Sequence, residues 1–156
     1  MFQNESMISI NTIDNIIVVN LNTELSKDIL ENVQLELLEK FIDGKSYGVV
    51  IDVSGVMIID RIIASHIKRI VESIQMMGGV AVLTGLKPEV VLSLLSTGVD
   101  FSKINTFLNI NMGIRNINSS KGNVLTVKED YPDEEVEATE EKSETEELCS
   151  NQSTDF

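Results

Sequence analysis

The residues of this 156-residue sequence best suited to chemistry are a few carboxyls, one imidazole and one thiol. Asp52 and Asp60 flank a short loop and could serve as a carboxyl pair for acid–base work. His66, the single histidine, falls in the middle of a helix-spaced apolar stretch, where a structural role is the stronger reading. Cys149, the single cysteine, sits in an acidic tail, so a Cys–His nucleophile pair is not indicated. No zinc-type ligand spacing occurs. Gly78-Gly79 and Gly85 are isolated stops and do not form a phosphate-cradling loop. Asp60 reads more simply as a helix cap and Asp52 as the polar end of a strand. These residues do not point to an enzyme, and neither a metal nor a cofactor is expected.

The loop Ser54-Gly55-Val56-Met57-Ile58-Ile59-Asp60 is the more informative place. It joins the C-terminal end of a strand to the N-terminus of a helix, where free N–H groups and a partial positive charge gather. Such a start suits a phosphate, a carboxylate or an acidic side chain of a partner. The plain alternative is an ordinary strand-to-helix turn.

The elements that must position this loop follow from hydrophobic spacing. Residues 7–21 read as two β-branched strands around the turn-prone pair Asp14-Asn15. Ser26 is a plausible cap for a helix over 27–42, with Ile29, Leu30, Val33, Leu37, Leu38 and Phe41 on its apolar face and Gly44 at its end. The continuous run Tyr47–Val53 suits a strand covered on both faces. Asp60 opens a second helix, 61–77, whose buried stripe is Ile63, Ile67, Ile70, Val71 and Ile74, closed by Gly78-Gly79. Val80–Leu83 is a further buried strand. Pro88 and Gly98 bracket a short helix, and a last helix covers about 109–118. The order β-β-α-β-α-β-α-α predicts an α/β fold, a mixed sheet with helices packed on it.

Composition divides the chain unevenly. Formal net charge is −13. From Lys128 to Phe156 there are 12 acids and 2 bases, a net of −10, which leaves −3 for residues 1–127. The sequence therefore predicts one domain over 1–118 and a disordered acidic tail over 119–156, too poor in apolar side chains to offset chain entropy. The acidity argues against nucleic acid as a partner. Aromatic residues are 4% of the chain with no Trp, so the core is expected to be aliphatic. The N-terminal stretch lacks a basic region followed by an apolar core, so no signal peptide is expected. No apolar run approaches the roughly 18 residues needed to span a membrane. With one cysteine, a reducing, cytoplasmic location is the expectation.

Three stretches together resemble the STAS family, the fold of the anti-sigma factor antagonists. They are Gly48-Val49-Val50-Ile51-Asp52-Val53-Ser54-Gly55-Val56, the helix opening Ile59-Asp60, and Met77-Gly78-Gly79-Val80-Ala81-Val82-Leu83-Thr84-Gly85-Leu86-Lys87-Pro88-Glu89. The resemblance covers roughly residues 7–118 and lies nearest the stressosome members. Because the sequence begins at its first strand, the short, bare-domain scaffold type is expected. The resemblance implies a non-catalytic switch that binds an RsbT-like switch kinase and co-assembles with RsbR-like STAS sensor subunits in a large hetero-oligomer. It places the partner-binding and switch region at Asp52, Ser54, Asp60, Arg61 and Ser65. In the family a Ser or Thr directly after the helix-opening Asp is phosphorylated; here that position is Arg61. A second family phosphosite falls on Ser93. The competing class is a small-ligand or nucleotide-binding STAS-like domain. Its mark would be polar residues converging on a pocket, and the sequence displays no such set.

Overall fold

The computed structural model describes residues 8–22 and 24–124. Asp14 and Asn15 both take positive φ, 49° and 65°, as a two-residue type I′ hairpin turn requires. That turn fixes the antiparallel pairing of β1 (Ile8–Ile13) with β2 (Ile16–Leu21), placing Ile13 opposite Ile16 and Ile8 opposite Leu21. Helix α1 (Lys27–Ile42) starts at Ser26, whose Oγ accepts from the Ile29 N–H at 3.3 Å. There follow β3 (Gly48–Asp52), α2 (Arg61–Met76), β4 (Val80–Thr84) and α3 (Pro88–Ser96), then β5 (Asn105–Phe107) and α4 (Ile110–Val124).

The five strands lie in the order β1-β2-β3-β4-β5. β1 is antiparallel to β2, and every later pairing is parallel. This is the mixed α/β sheet that the strand–helix alternation predicts. The register sets Asn20, Asp52 and Thr84 side by side, at one level across β2, β3 and β4.

Alternation along the central strands divides the core into two layers. Ile17, Val19, Leu21, Val49, Ile51, Ala81 and Leu83 pack with the apolar stripes of α1 and α2. Ile16, Val18, Val50 and Val82 face the opposite way, against Ile117 of α4. Both faces of the sheet are therefore covered, which explains the unbroken apolar runs of β2 and β3. Aliphatic side chains fill both layers, with Phe41 the single Phe, Tyr or Trp among the described buried residues.

Two elements differ from the sequence reading. β5 was not expected. It is three residues long, with Asn105 and Thr106 exposed, and so carries no apolar run. Helix α4 extends to Val124, beyond 118, through the position where the tail was expected to begin. Ser119 and Ser120 disguise it by composition; their hydroxyls donate back to the Arg115 and Asn116 carbonyls at 2.9 and 3.0 Å within the helix. The acidic stretch from 125 onward, with Cys149, lies outside the described residues.

Candidate functional site

The site is built at the C-terminal ends of β3 and β4. Asp52 ends β3 and is 6% exposed. Its carboxyl accepts from the Thr84 hydroxyl at 2.9 Å and from the Ser54 hydroxyl. Beside it, the Val53 N–H donates to the Thr84 carbonyl at 2.9 Å, continuing the sheet one residue past β3. Gly85 has φ +75°, and a Cβ there would lie 2.5 Å from Asp52 Oδ1. Only glycine lets the chain leave β4 this close to the carboxyl. Asp52 therefore anchors the loop from below and presents almost no surface of its own.

The loop from Ser54 to Asp60 alternates plugs and exposed residues. Val56 and Ile59 are buried, whereas Met57 and Ile58 are 65% and 78% exposed. Ser93 of α3 grips the far end. Its hydroxyl donates to the Ile59 carbonyl at 2.6 Å and accepts from the Ile59 N–H at 3.1 Å. Asp60 then caps α2, accepting from the Ile63 N–H at 2.8 Å. The place that a foreign anion would take at this helix start is thus filled by the chain's own carboxyl. Asp52 and Asp60 share no hydrogen-bond partner, and each has a complete structural assignment.

Arg61 and Ile62 are exposed on the first turn of α2. Ser65 is half-buried, with its hydroxyl donating to the Arg61 carbonyl at 2.8 Å. Of the expected residues, Asp52 and Ser54 form one cluster with Thr84. Asp60, Arg61 and Ser65 form another along the start of α2, and Ser93 connects to this second group through Ile59. Thr84 and Gly85 were not singled out as site residues, although both stand in the Thr-Gly-x-x-Pro-Glu run that carries the resemblance.

Spacing alone also left a second feature unseen. Lys27, Arg61, Ile62, Ser65, His66 and Arg69 line one pocket between the start of α1 and the outer face of α2. The α2 members recur every three or four residues, so one helix face carries them all. Lys27 arrives from 34 positions upstream of Arg61 and joins them only through packing of the two helices. Among the described residues no cluster of His, Cys, Asp or Glu could hold a metal, and no helix is long and apolar enough to cross a membrane.

Comparison with known proteins agrees with this architecture. RsbRA of Bacillus subtilis (strain 168), an RsbT co-antagonist protein, is 32% identical over 99 residues, which are 64% of this chain and 35% of that protein. The chain spans about a third of the length of its RsbR-type relatives. A structure of an RsbS variant from Moorella thermoacetica matches with a TM-score of 0.66 at 26% identity, over 75% of this chain and 99% of that one. A chain from the molecular architecture of the stressosome, a signal integration and transduction hub, matches with a TM-score of 0.62 at 25% identity, over 72% and 98%. The chain is thus related to components of the stressosome. Residues 7–112, which run from the first hairpin into α4 and include the whole of the β3–α2 loop, match the STAS domain, and the chain belongs to the STAS domain family.

Proposed function

We propose that this chain is a non-catalytic, RsbS-like scaffold and switch protein of a stressosome-type assembly. In this reading it acts in the cytoplasm, binds and sequesters an RsbT-like kinase, and co-assembles with RsbR-like sensor subunits. The observation that carries the reading is the surface at the start of α2. Met57, Ile58 and Ile62 are 65%, 78% and 57% exposed around the permanently charged Arg61. Large apolar side chains gathered at such density on a firmly braced loop mark a protein interface. The bracing comes from Asp52 below, Ser93 beside and Asp60 at the helix start, so the surface is already shaped before a partner arrives.

Arg61 gives the switch its particular character. Phosphorylation adds about −1.5 to −2 charges to a serine, whereas Arg61 holds a fixed positive charge that no kinase can reverse. Control at this position is therefore absent, and it passes to Ser93 or to the partner subunits.

The test is reconstitution of the full chain with an RsbR-like subunit and an RsbT-like kinase, followed by mass measurement. The expected result is a large mixed assembly that retains the kinase. Replacing Met57 and Ile58 together by Ser should weaken kinase retention by about tenfold or more at an unchanged melting temperature. Strict monomers in every mixture overturn the reading.

A further inference from the structure

The pocket between α1 and α2 gathers positive charge that the fold neutralises only in part. Lys27, Arg61 and Arg69 line it, together with Ile62, Ser65 and His66, and no acidic residue does. Lys27 has Glu31 at 3.6 Å, in an exposed i,i+4 pair of little strength. Arg61 and Arg69 form no salt bridge among the described residues. Asp60, beside Arg61, caps the Ile63 N–H, and Glu72, three residues after Arg69, pairs with Lys68 at 3.7 Å. Arg61 and Arg69, like charges on one helix face without a salt bridge among the described residues, disfavour the fold, which is what a site for an opposite charge costs when it is empty.

His66 is the buried member of the lining. It lines the same pocket, is 6% exposed, and its buried Nδ1 has no hydrogen-bond partner among the described residues. Buried ring nitrogens are ordinarily paired, because an unpaired one forfeits its bond to water without replacement. Ser65 cannot serve as a donor in its present rotamer, since its proton is directed to the Arg61 carbonyl.

We propose that this pocket binds a small organic phosphate, with the phosphate group held by Arg61, Arg69 and Lys27. Three cations match a dianionic phosphate better than a single carboxylate, and two of them are arginines, whose planar forks pair with oxyanions through two bonds. The volume, about 430 Å³, lies in the small-molecule range of roughly 300–1,000 Å³ and leaves room beyond the phosphate itself. Ile62 offers an apolar wall to the organic part. Such a site makes the domain a receptor for a soluble anion, a property that scaffolding alone does not require. It draws on Arg61 from the partner surface but needs no partner to operate.

The experiment uses the full chain alone, titrated at low ionic strength with inorganic phosphate, glycerol 3-phosphate and uncharged glycerol. Binding is followed calorimetrically and by amide chemical shifts. The expected result is saturable binding of glycerol 3-phosphate, tighter than that of inorganic phosphate, with shifts at residue 27 and residues 61–69 and none with glycerol. Arg69→Gln and Lys27→Gln should each weaken it about tenfold, and Arg115→Gln on α4 should leave it unchanged. The proposal is overturned by absence of saturable binding, by equal affinity for the two phosphates, or by an Arg115→Gln loss as large as that of Arg69→Gln. Because no kinase or sensor subunit is present, failure here leaves the assembly reading untouched, and failure of assembly leaves this one untouched.

Discussion

The hydroxyl of Ser93 satisfies both backbone polar groups of Ile59, donating to its carbonyl at 2.6 Å and accepting from its N–H at 3.1 Å. A side chain on α3 thereby does for an irregular loop what a neighbouring strand does for a sheet residue. Ile59 is 1% exposed, so water cannot readily take over. Ser93→Ala should cost about 1–3 kcal/mol, the usual penalty for stranding buried backbone groups, measured by urea denaturation. Hydrogen exchange at the Ile59 amide should accelerate in step. A phosphate on Ser93 must break the same clasp, so Ser93→Glu should release this amide too; unchanged exchange in both variants would refute the coupling.

Gly85 is the second test of the bracing. In Gly85→Ala the left-handed backbone alone costs about 1–2 kcal/mol, and the new Cβ would meet Asp52 Oδ1 at 2.5 Å. The carboxyl must shift away from Thr84. Gly98 has a similar φ, +72°, with nothing within 4 Å of its Cβ position, so Gly98→Ala isolates the backbone contribution. We expect Gly85→Ala to be the more destabilising of the two, and equal losses would remove the steric argument.

Arg61 can be examined by phosphate mapping. After incubation with an RsbT-like kinase and ATP, the wild-type chain should carry no phosphate between residues 54 and 65. Arg61→Ser should gain one at position 61. Phosphate on Ser54 or Ser65 of the wild type would show that arginine does not disable the region.

Asp100 gives a pH signature away from the site. The Ser102 backbone N–H, 2.9 Å away, and then the Ser102 side chain hold its carboxyl below the ordinary aspartate value. A folded-state value below the unfolded one means that the stabilising contribution is present above the unfolded value. It is lost as pH falls through the folded one. NMR titration should find Asp100 titrating low, and Ser102→Ala should raise it only part of the way, since the backbone donor remains.

The frame of this domain was legible wherever one element's own spacing encoded it. Asp14-Asn15 announced the hairpin, Ser26 and Asp60 announced their helices, and the unbroken run Val49-Val50-Ile51 announced a strand covered on both sides. β5 escaped because its hydrogen bonds to β4, and no apolar pattern, define it. At the site, the Asp60 cap could be read from its place before an amphipathic helix. The Ser93–Ile59 clasp could not, because a hydroxyl's partner 34 residues away depends on how α3 lies on the loop. The cationic pocket was hidden for the same reason: Lys27 meets Arg61 and Arg69 only after α1 has packed against α2.

The level row of Asn20, Asp52 and Thr84 amounts to a built-in ruler. Two successive strand–crossover–strand steps each consume 32 residues, although the residues filling them are unrelated. The row is tied at both ends, since Asn20 donates to the Ser9 hydroxyl at 3.0 Å on β1 and Thr84 donates to Asp52 at 2.9 Å. Sliding any central strand by one position would turn its aliphatic side chains to the wrong layer and break these bonds together. Polar side chains worth little individually thus act as alignment marks, and added length in either crossover has only the loops as an outlet.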